Sequence, residues 1–281
     1  MGSNILLHDF IIEKHVKDAL EEDIGFGDIT TDYIARNGDF LSGTLGTRSD
    51  GVLCGSDVFK MVFKILSEEV NVQFFANDGD LIKKGTIIAE ISGPARYILI
   101  GERTALNYIQ RMSGIATETR RYQNAIGDLP VKVTDTRKTT PNFRMFEKYS
   151  VKIGGGALHR FNLADCAMIK DNHIRLAGSI TNAVGRLKKN ISHAHKIEVE
   201  CDTLDQVKEA LSCGVEIIML DNMSIEEMKQ ACKIIDKKAI IEASGNITIE
   251  RIKSVAETGV DIISTSAIVA KAPTLDLGLD I

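Results

Sequence analysis

From residue 131 onward the chain alternates short, almost uninterrupted apolar runs with amphipathic stretches, a pattern few folds can accommodate. The runs are VKVTDT, CAMIKD, KIEVEC, EIIMLDN, AIIEASG and DIISTSA. A strand with one wet face alternates polar and apolar residues, so runs like these predict parallel strands covered on both faces by helices. Helix punctuation is legible between the later runs. Residues 203–211 stop before Gly214, Ser224 and Glu227 have capping-box spacing, and residues 248–257 stop before Gly259. From Glu200 on, strand ends recur about every 20 residues, the length of one strand, loop and helix in a β/α barrel. The six runs quoted read as strands and one more is suspected, short of the eight of a closed barrel.

The first part is built differently. Residues 11–20 have the spacing of an amphipathic helix, followed by the turn-rich EDIGFGDIT and short strands such as those in SGTLGTRSDGVLCG. VQFFANDGDLIKKGTIIAEISG reads as a meander with turns at Gly79 and Gly85, in the hammerhead-like shape of small carrier domains. It lacks the hairpin-flanked lysine of a biotin or lipoyl carrier, and Lys83 and Lys84 are expected on a solvated turn. A helix over 102–112, with Ala105, Leu106 and Ile109 on one face, leads into SGIAT. The expected organisation is an α/β domain over 1–113 and a β/α barrel over 114–281, whose tail is free to return to the first domain. A chain of 281 residues is long enough for either part to bury a core.

Composition excludes several classes of function. The five cysteines are scattered with no C-x-x-C pair, as expected of reduced thiols in a cytoplasmic protein without a zinc-cysteine site. Charges interrupt the apolar residues of the N-terminal stretch, unlike a signal peptide, and Leu6 stands where a myristoylation signal after Met1 and Gly2 requires Ser or Thr. No run approaches the roughly 20 apolar residues that cross a bilayer, so no membrane is expected. With a net charge of -5, no tryptophan and 5% aromatic residues, a nucleic-acid groove has little support. A basic pocket within an acidic whole suits a small anionic substrate.

In parallel β/α folds the working residues gather at the C-terminal ends of the strands. DTRKTTP (135–141), GGGALHR (154–160) and MIKDNHI (168–174) supply Arg137, Lys138, His159, Arg160 and Lys170 beside strand ends and glycines. An isolated Arg-Lys pair is ordinarily solvated charge, but this clustering predicts an anion pocket. Glu200 and Asp221 end later strands, where they either meet a divalent metal or sugar hydroxyls or simply neutralise the lysines. Gly154 to Gly156 permit a close backbone approach, and the amides of ASGN (243–246), just ahead of the expected helix 248–257, could cradle a phosphate. His193 and His195 precede a strand, on the side away from the pocket, and are expected to be structural or solvated.

ERTALN (102–107), SGIAT (113–117), DTRKTTP, GGGALHR, IKDNHI, IEVE (197–200), IMLDNM (218–223) and EASGNI (242–247) occur in order at suitable spacing. Together they resemble quinolinate phosphoribosyltransferase, and EDIGFGDIT resembles that family's N-terminal signature. The resemblance implies an open α/β sandwich followed by an incomplete, roughly seven-stranded β/α barrel. It also implies a homodimer whose sites are completed across the interface. The implied reaction joins quinolinate to phosphoribosyl pyrophosphate with Mg²⁺, giving nicotinate mononucleotide, pyrophosphate and carbon dioxide, a step in making NAD.

Carried over to this chain, the resemblance has Arg137, His159 and Arg160 holding the two quinolinate carboxylates, with Arg103 reaching in from the partner. Lys138 and Lys170 would meet carboxylate or pyrophosphate oxygens, and Glu200 and Asp221 the ribose hydroxyls and the metal; these four form the expected catalytic set. Ser244, Gly245 and Asn246 would take the 5-phosphate, with Thr136, Thr265 and Ser266 completing the binding residues. The chain departs from the family in two places. Leu158 stands where the family has Asn, and ISTSAIVAK replaces I-S-x-G-A-L-T-H-S, with Ser266 for Gly, Ala270 for His and Lys271 as a compensating charge. That altered segment favours a rival reading, a molybdenum-transport-associated anion-binding relative without transfer activity. A second rival, phosphoribosyl transfer to nicotinate, offers one carboxylate where Arg103, Arg137 and Arg160 suit two.

Overall fold

The computed structural model describes residues 7–281; Met1, Gly2 and Leu6, from which the lack of a lipidation signal is read, lie outside them. In chain order the elements begin with α1 (Asp9–Ile24), α2 (Thr31–Ile34), β1 (Phe40–Thr47), β2 (Gly51–Val52), α3 (Ser56–Leu66), β3 (Asn71–Phe74), β4 (Leu81–Ile82), β5 (Ile87–Pro94) and α4 (Ala95–Ile126). There follow β6 (Lys132–Thr134), α5 (Arg144–Ile153), β7 (Ala167–Ile169), α6 (Asp171–Ala177), α7 (Ile180–Lys188), β8 (Ile197–Cys201) and α8 (Leu204–Ser212). The chain finishes with β9 (Ile217–Asp221), α9 (Ile225–Ile235), β10 (Ile240–Ser244), α10 (Ile252–Ala256), β11 (Ile262–Ser264), α11 (Ala267–Ala270) and β12 (Leu277–Asp280). Among the described residues, no helix is long and apolar enough to cross a membrane.

The chain divides into two compact units, the first comprising residues up to Arg120 with Met145–Gly155 and Ala272–Ile281. Its main sheet is antiparallel in the order β12-β1-β5-β3, so the last strand of the chain pairs beside one of the first. Apolar residues at helical spacing on α3 bury Phe59, Met61, Val62 and Phe63, and α1 buries Ile12, Val16 and Leu20. Phe59 stacks edge-on against Phe74 of β3, with ring centroids 5.7 Å apart. Lys83 and Lys84 are exposed, and Lys83 Nζ lies 3.0 Å from Asp50.

Helix α4 buries the expected Ala105, Leu106 and Ile109 but does not end at Met112. It runs on through SGIAT, contrary to the expectation that this stretch breaks it. Gly114 marks a close approach rather than a stop, because a Cβ there would lie 2.0 Å from the carbonyl oxygen of Pro273. Gly154 has a similar reason: a Cβ there would lie 2.5 Å from the carbonyl oxygen of Ala116. The room left by that glycine is taken by α4, not by a ligand.

The second unit, Arg121–Arg144 with Gly156–Lys271, holds a six-stranded parallel sheet in the order β6-β11-β10-β9-β8-β7. Beyond β6, Ala157 makes an isolated parallel bridge to Thr134, with its N–H donating to Val133 O at 2.8 Å. That single-residue bridge occupies the place of the suspected seventh strand. No ladder joins Ala157 to β7 among the described residues, so the barrel is incomplete. The central strands are buried almost throughout, as their near-continuous apolar character requires.

Helices α8 and α9 start at full capping boxes, Thr203 with Gln206 and Ser224 with Glu227. The expected helix 248–257 is shorter, confined to Ile252–Ala256. After Ser244 the backbone enters the left-handed region at Gly245 (φ 88°) and Asn246 (φ 49°), and Arg251 reaches back to the carbonyl of Met223 at 3.0 Å. Those contacts hold residues 245–251 as a loop.

Candidate active site

Side chains two apart on a strand share a face, so Glu198 with Glu200, Met219 with Asp221, and Glu242 with Ser244 point the same way. The members at the strand ends meet in a cavity of about 380 Å³. It is lined by Thr136, Arg137 and Lys138 after β6, by His159 and Arg160 after the Ala157 bridge, and by Met168 and Lys170 around β7. Glu200, Met219, Asp221, Ser244 and Ser264 complete the lining from β8 to β11.

Three guanidiniums set the electrostatics. Burial, then the neighbouring Arg160 and Arg144, lower the pKa of Arg137 from its usual value, and its Nε is buried without a hydrogen-bond partner. Arg160 donates from Nη1 to Cys166 O at 2.8 Å and from Nη2 to Met168 Sδ at 3.6 Å. Arg144 donates from Nε to Thr139 Oγ1 at 3.0 Å and from Nη1 to Phe161 O at 2.9 Å, tying the loop after β6 to the loop after Arg160. The partners of Arg160 and Arg144 in these bonds are uncharged.

On the opposite arc, Lys170 pairs with Glu200, and Asp221 accepts a hydrogen bond from Asn222 Nδ2 at 2.7 Å. Lys138 is exposed, its N–H donating to Thr136 Oγ1 at 3.0 Å. Glu200 and Asp221 offer only oxygen, the donor type that suits Mg²⁺, which ordinarily takes one or two carboxylates together with substrate phosphates.

His159 faces inward with both ring nitrogens engaged. Nδ1 accepts the Arg160 N–H at 2.7 Å, and Nε2 lies 3.5 Å from both Glu198 Oε2 and Glu242 Oε1. Burial works against a charged ring and the two carboxylates favour a proton on it; the Arg160 N–H aimed at Nδ1 leaves no place for a proton there, so the proton the carboxylates hold is the one on Nε2. The backbone N–H of His159 donates to the buried Asp135 Oδ1 at 2.8 Å.

The structure thus gathers Thr136, Arg137, Lys138, His159, Arg160, Lys170, Glu200, Asp221 and Ser244 around one cavity. Gly245, Asn246, Thr265 and Ser266 are not in its lining. The hydroxyl of Thr265 bonds locally instead, accepting the Ala267 N–H at 3.2 Å. Arg103 lies exposed on α4 in the first unit. His193 and His195 are exposed. Sequence reasoning missed Arg144, Asp135, Glu198 and Glu242. The two glutamates were open to a parity argument, since each lies two residues before a residue already singled out.

Comparison with known proteins places this arrangement. Residues 28–113 match the N-terminal domain of quinolinate phosphoribosyl transferase, and residues 115–280 match its C-terminal domain. The chain belongs to the quinolinate phosphoribosyltransferase family. It is 42% identical to a probable carboxylating nicotinate-nucleotide pyrophosphorylase of Synechocystis, covering 96% of this chain and 92% of the relative. A protein of the same description from Bacillus subtilis is 41% identical, covering 96% and 93%. The crystal structure of NadC from Streptococcus pyogenes superposes with a TM-score of 0.95 at 41% identity, covering 98% of this chain and 97% of that one.

Proposed function

We propose that this family member is a pentosyltransferase joining quinolinate to phosphoribosyl pyrophosphate, with release of pyrophosphate and carbon dioxide. The product is nicotinate mononucleotide, a precursor in making NAD. The observation that carries the reading is the arginine group: Arg137 has a buried, unpartnered Nε, and burial together with two guanidinium neighbours depresses its pKa. Like charges gathered this way are costly unless something negative joins them. A twice-negative aromatic acid fills that need, and planar guanidiniums bind carboxylates through paired, charge-assisted hydrogen bonds.

The roles are those the family resemblance implies, and the shared cavity supports them. Arg137 and Arg160 hold the quinolinate carboxylates, whereas His159, expected to share that role, turns its ring nitrogens to the Arg160 N–H and to Glu198 and Glu242; Lys138 and Lys170 meet carboxylate or pyrophosphate oxygens. Glu200 and Asp221 face the ribose hydroxyls and would hold Mg²⁺, which when bound neutralises charge on the departing pyrophosphate. As the bond to pyrophosphate breaks, the ribose becomes oxocarbenium-like and the pyridine nitrogen bonds to its anomeric carbon. When the adjacent carboxylate departs as carbon dioxide, the electron pair stays on the ring carbon, stabilised by the neighbouring quaternary nitrogen, and bonds to a proton there. Preorganised charge accounts for the rate, without a protein nucleophile.

Ser244, Gly245 and Asn246 take the 5-phosphate with the amides of their loop. Ser266 is compatible with this chain's own backbone, because its φ of -78° needs no glycine. Arg103 is donated from the partner of a homodimer, and the free cysteines suit a cytoplasmic enzyme. Neither rival reading is favoured: nicotinate would leave one guanidinium site unmatched, and relatives at 42% and 41% identity carry the carboxylating name.

The test uses purified protein with Mg²⁺, phosphoribosyl pyrophosphate and quinolinate labelled in the carboxyl group beside the ring nitrogen. Labelled carbon dioxide is expected in step with nicotinate mononucleotide. A folded protein that releases no label overturns the assignment.

A further inference from the structure

Behind the cavity wall lie two carboxylates that the proposed chemistry does not use. Glu198 sits two residues before Glu200 on β8, and Glu242 two residues before Ser244 on β10, so both point inward one layer below the pocket lining. They are 1% and 3% exposed; Glu198 Oε1 has no hydrogen-bond partner, and Glu242 Oε1 has none beyond its 3.5 Å contact with His159 Nε2. Buried carboxylates with incomplete partners weaken a core, and apolar side chains at these positions would serve packing better. Their shared neighbour is His159 Nε2, 3.5 Å from each.

We propose that Glu198 and Glu242 are positioning residues that aim Arg160, acting through His159. Carboxylates facing Nε2 keep the ring proton there, since a proton between acceptors is stabilised and a bare nitrogen lone pair is repelled. Nδ1 is thereby left as an acceptor, and it takes the Arg160 N–H at 2.7 Å. With Asp135 Oδ1 holding the His159 N–H at 2.8 Å, the peptide between His159 and Arg160 is fixed from both sides. From that anchored backbone the Arg160 side chain lines the cavity, its Nη1 bonding to Cys166 O at 2.8 Å. If the carboxylates are lost, the proton is free to move to Nδ1, where two N–H groups would confront each other and the turn carrying Arg160 would shift.

The same three side chains also bring ligating atoms within 4.8 Å of one another, a spacing that a metal ion could bridge. The positioning reading is preferred because it accounts for the Nδ1 contact as well as the Nε2 contacts. It rests on the proposed function only in taking Arg160 to hold a quinolinate carboxylate.

The experiment compares wild type with E198Q, E242Q and the double variant. Steady-state kinetics for both substrates would be run alongside nitrogen-15 NMR of the histidine side chains, which reports the His159 tautomer whether or not the protein turns over quinolinate. His159 is expected as the Nε2–H form in wild type, with the tautomers mixed in the double variant. KM for quinolinate should rise by roughly tenfold or more, while KM for phosphoribosyl pyrophosphate stays within about twofold. A wild-type ring protonated at Nδ1, or an unchanged KM for quinolinate in the double variant, overturns the proposal. So does a stoichiometric transition-metal ion in purified wild type that is lost from E242Q, which would make the cluster a metal centre. If the double variant does not fold, the single amide variants carry the same test, with a smaller KM rise expected in each. A wild type that lacks transferase activity but shows the expected tautomer shift defeats the functional reading and leaves the His159 arrangement standing.

Discussion

Arg137 is where the electrostatics of the site become most demanding, and its effects should separate cleanly. Its buried Nε bonds to nothing and its charged neighbours repel it, so the side chain contributes little to the stability of the fold. Arg137→Ala should therefore cost about 2–5 kcal/mol in kcat/KM for quinolinate while leaving the melting temperature nearly unchanged; a rate assay and a thermal melt on the same sample decide it. Gly245 should behave in the opposite way. At φ 88°, with a Cβ there lying 2.3 Å from Asn222 Oδ1, Gly245→Ala should destabilise by about 1–3 kcal/mol and also raise KM for phosphoribosyl pyrophosphate. A variant that melts like wild type would mean the loop relaxes without cost. At this scale the sequence announced the cations well, because DTRKTTP, GGGALHR and MIKDNHI place charge beside glycines and strand ends. It marked Glu198 and Glu242 only indirectly, through their two-residue spacing from Glu200 and Ser244, since a glutamate inside an apolar run gives no signal of its own.

Among the elements, legibility followed the physics of local signals. Ser224 with Glu227 formed the capping box that their spacing required, since that interaction is complete within four residues. Thr203 likewise accepts the Gln206 N–H, so Thr203→Ala should lower stability by about 1 kcal/mol without affecting turnover, which chemical denaturation can measure. Where an element's extent depends on distant partners, local reading failed. Helix α4 continues past Gly114 because a segment more than 150 residues later packs against that glycine. Helix α10 begins late because Arg251 bonds back to the Met223 carbonyl, a contact invisible in the local pattern. The seventh strand shrank to one bridging residue at Ala157, which no periodicity could register.

For the molecule as a whole, the alternating runs of the second half sufficed to predict a β/α barrel that stops short of closure. The exposed position of Arg103 on α4 and the proposed sharing of sites between subunits lead to a complementation test. Arg103→Ala and Arg160→Ala proteins, each inactive alone, should regain part of the wild-type rate after subunit exchange, since a mixed dimer assembles one complete pocket. No recovery despite demonstrated exchange would count against a shared site.

The order of the first unit's sheet bears on how the protein is made. Strand β1 has β12 on one side and β5 on the other, with Thr44 opposite Asp280. During synthesis the ribosome delivers β1, β3 and β5 early, yet must produce every barrel strand before the segment that covers the remaining flank of β1. Until then that flank carries unpaired amides and carbonyls, an invitation to mispairing with other nascent chains. Growing chains halted before residue 277 should therefore be cleaved by protease near β1 more readily than chains extended past β12.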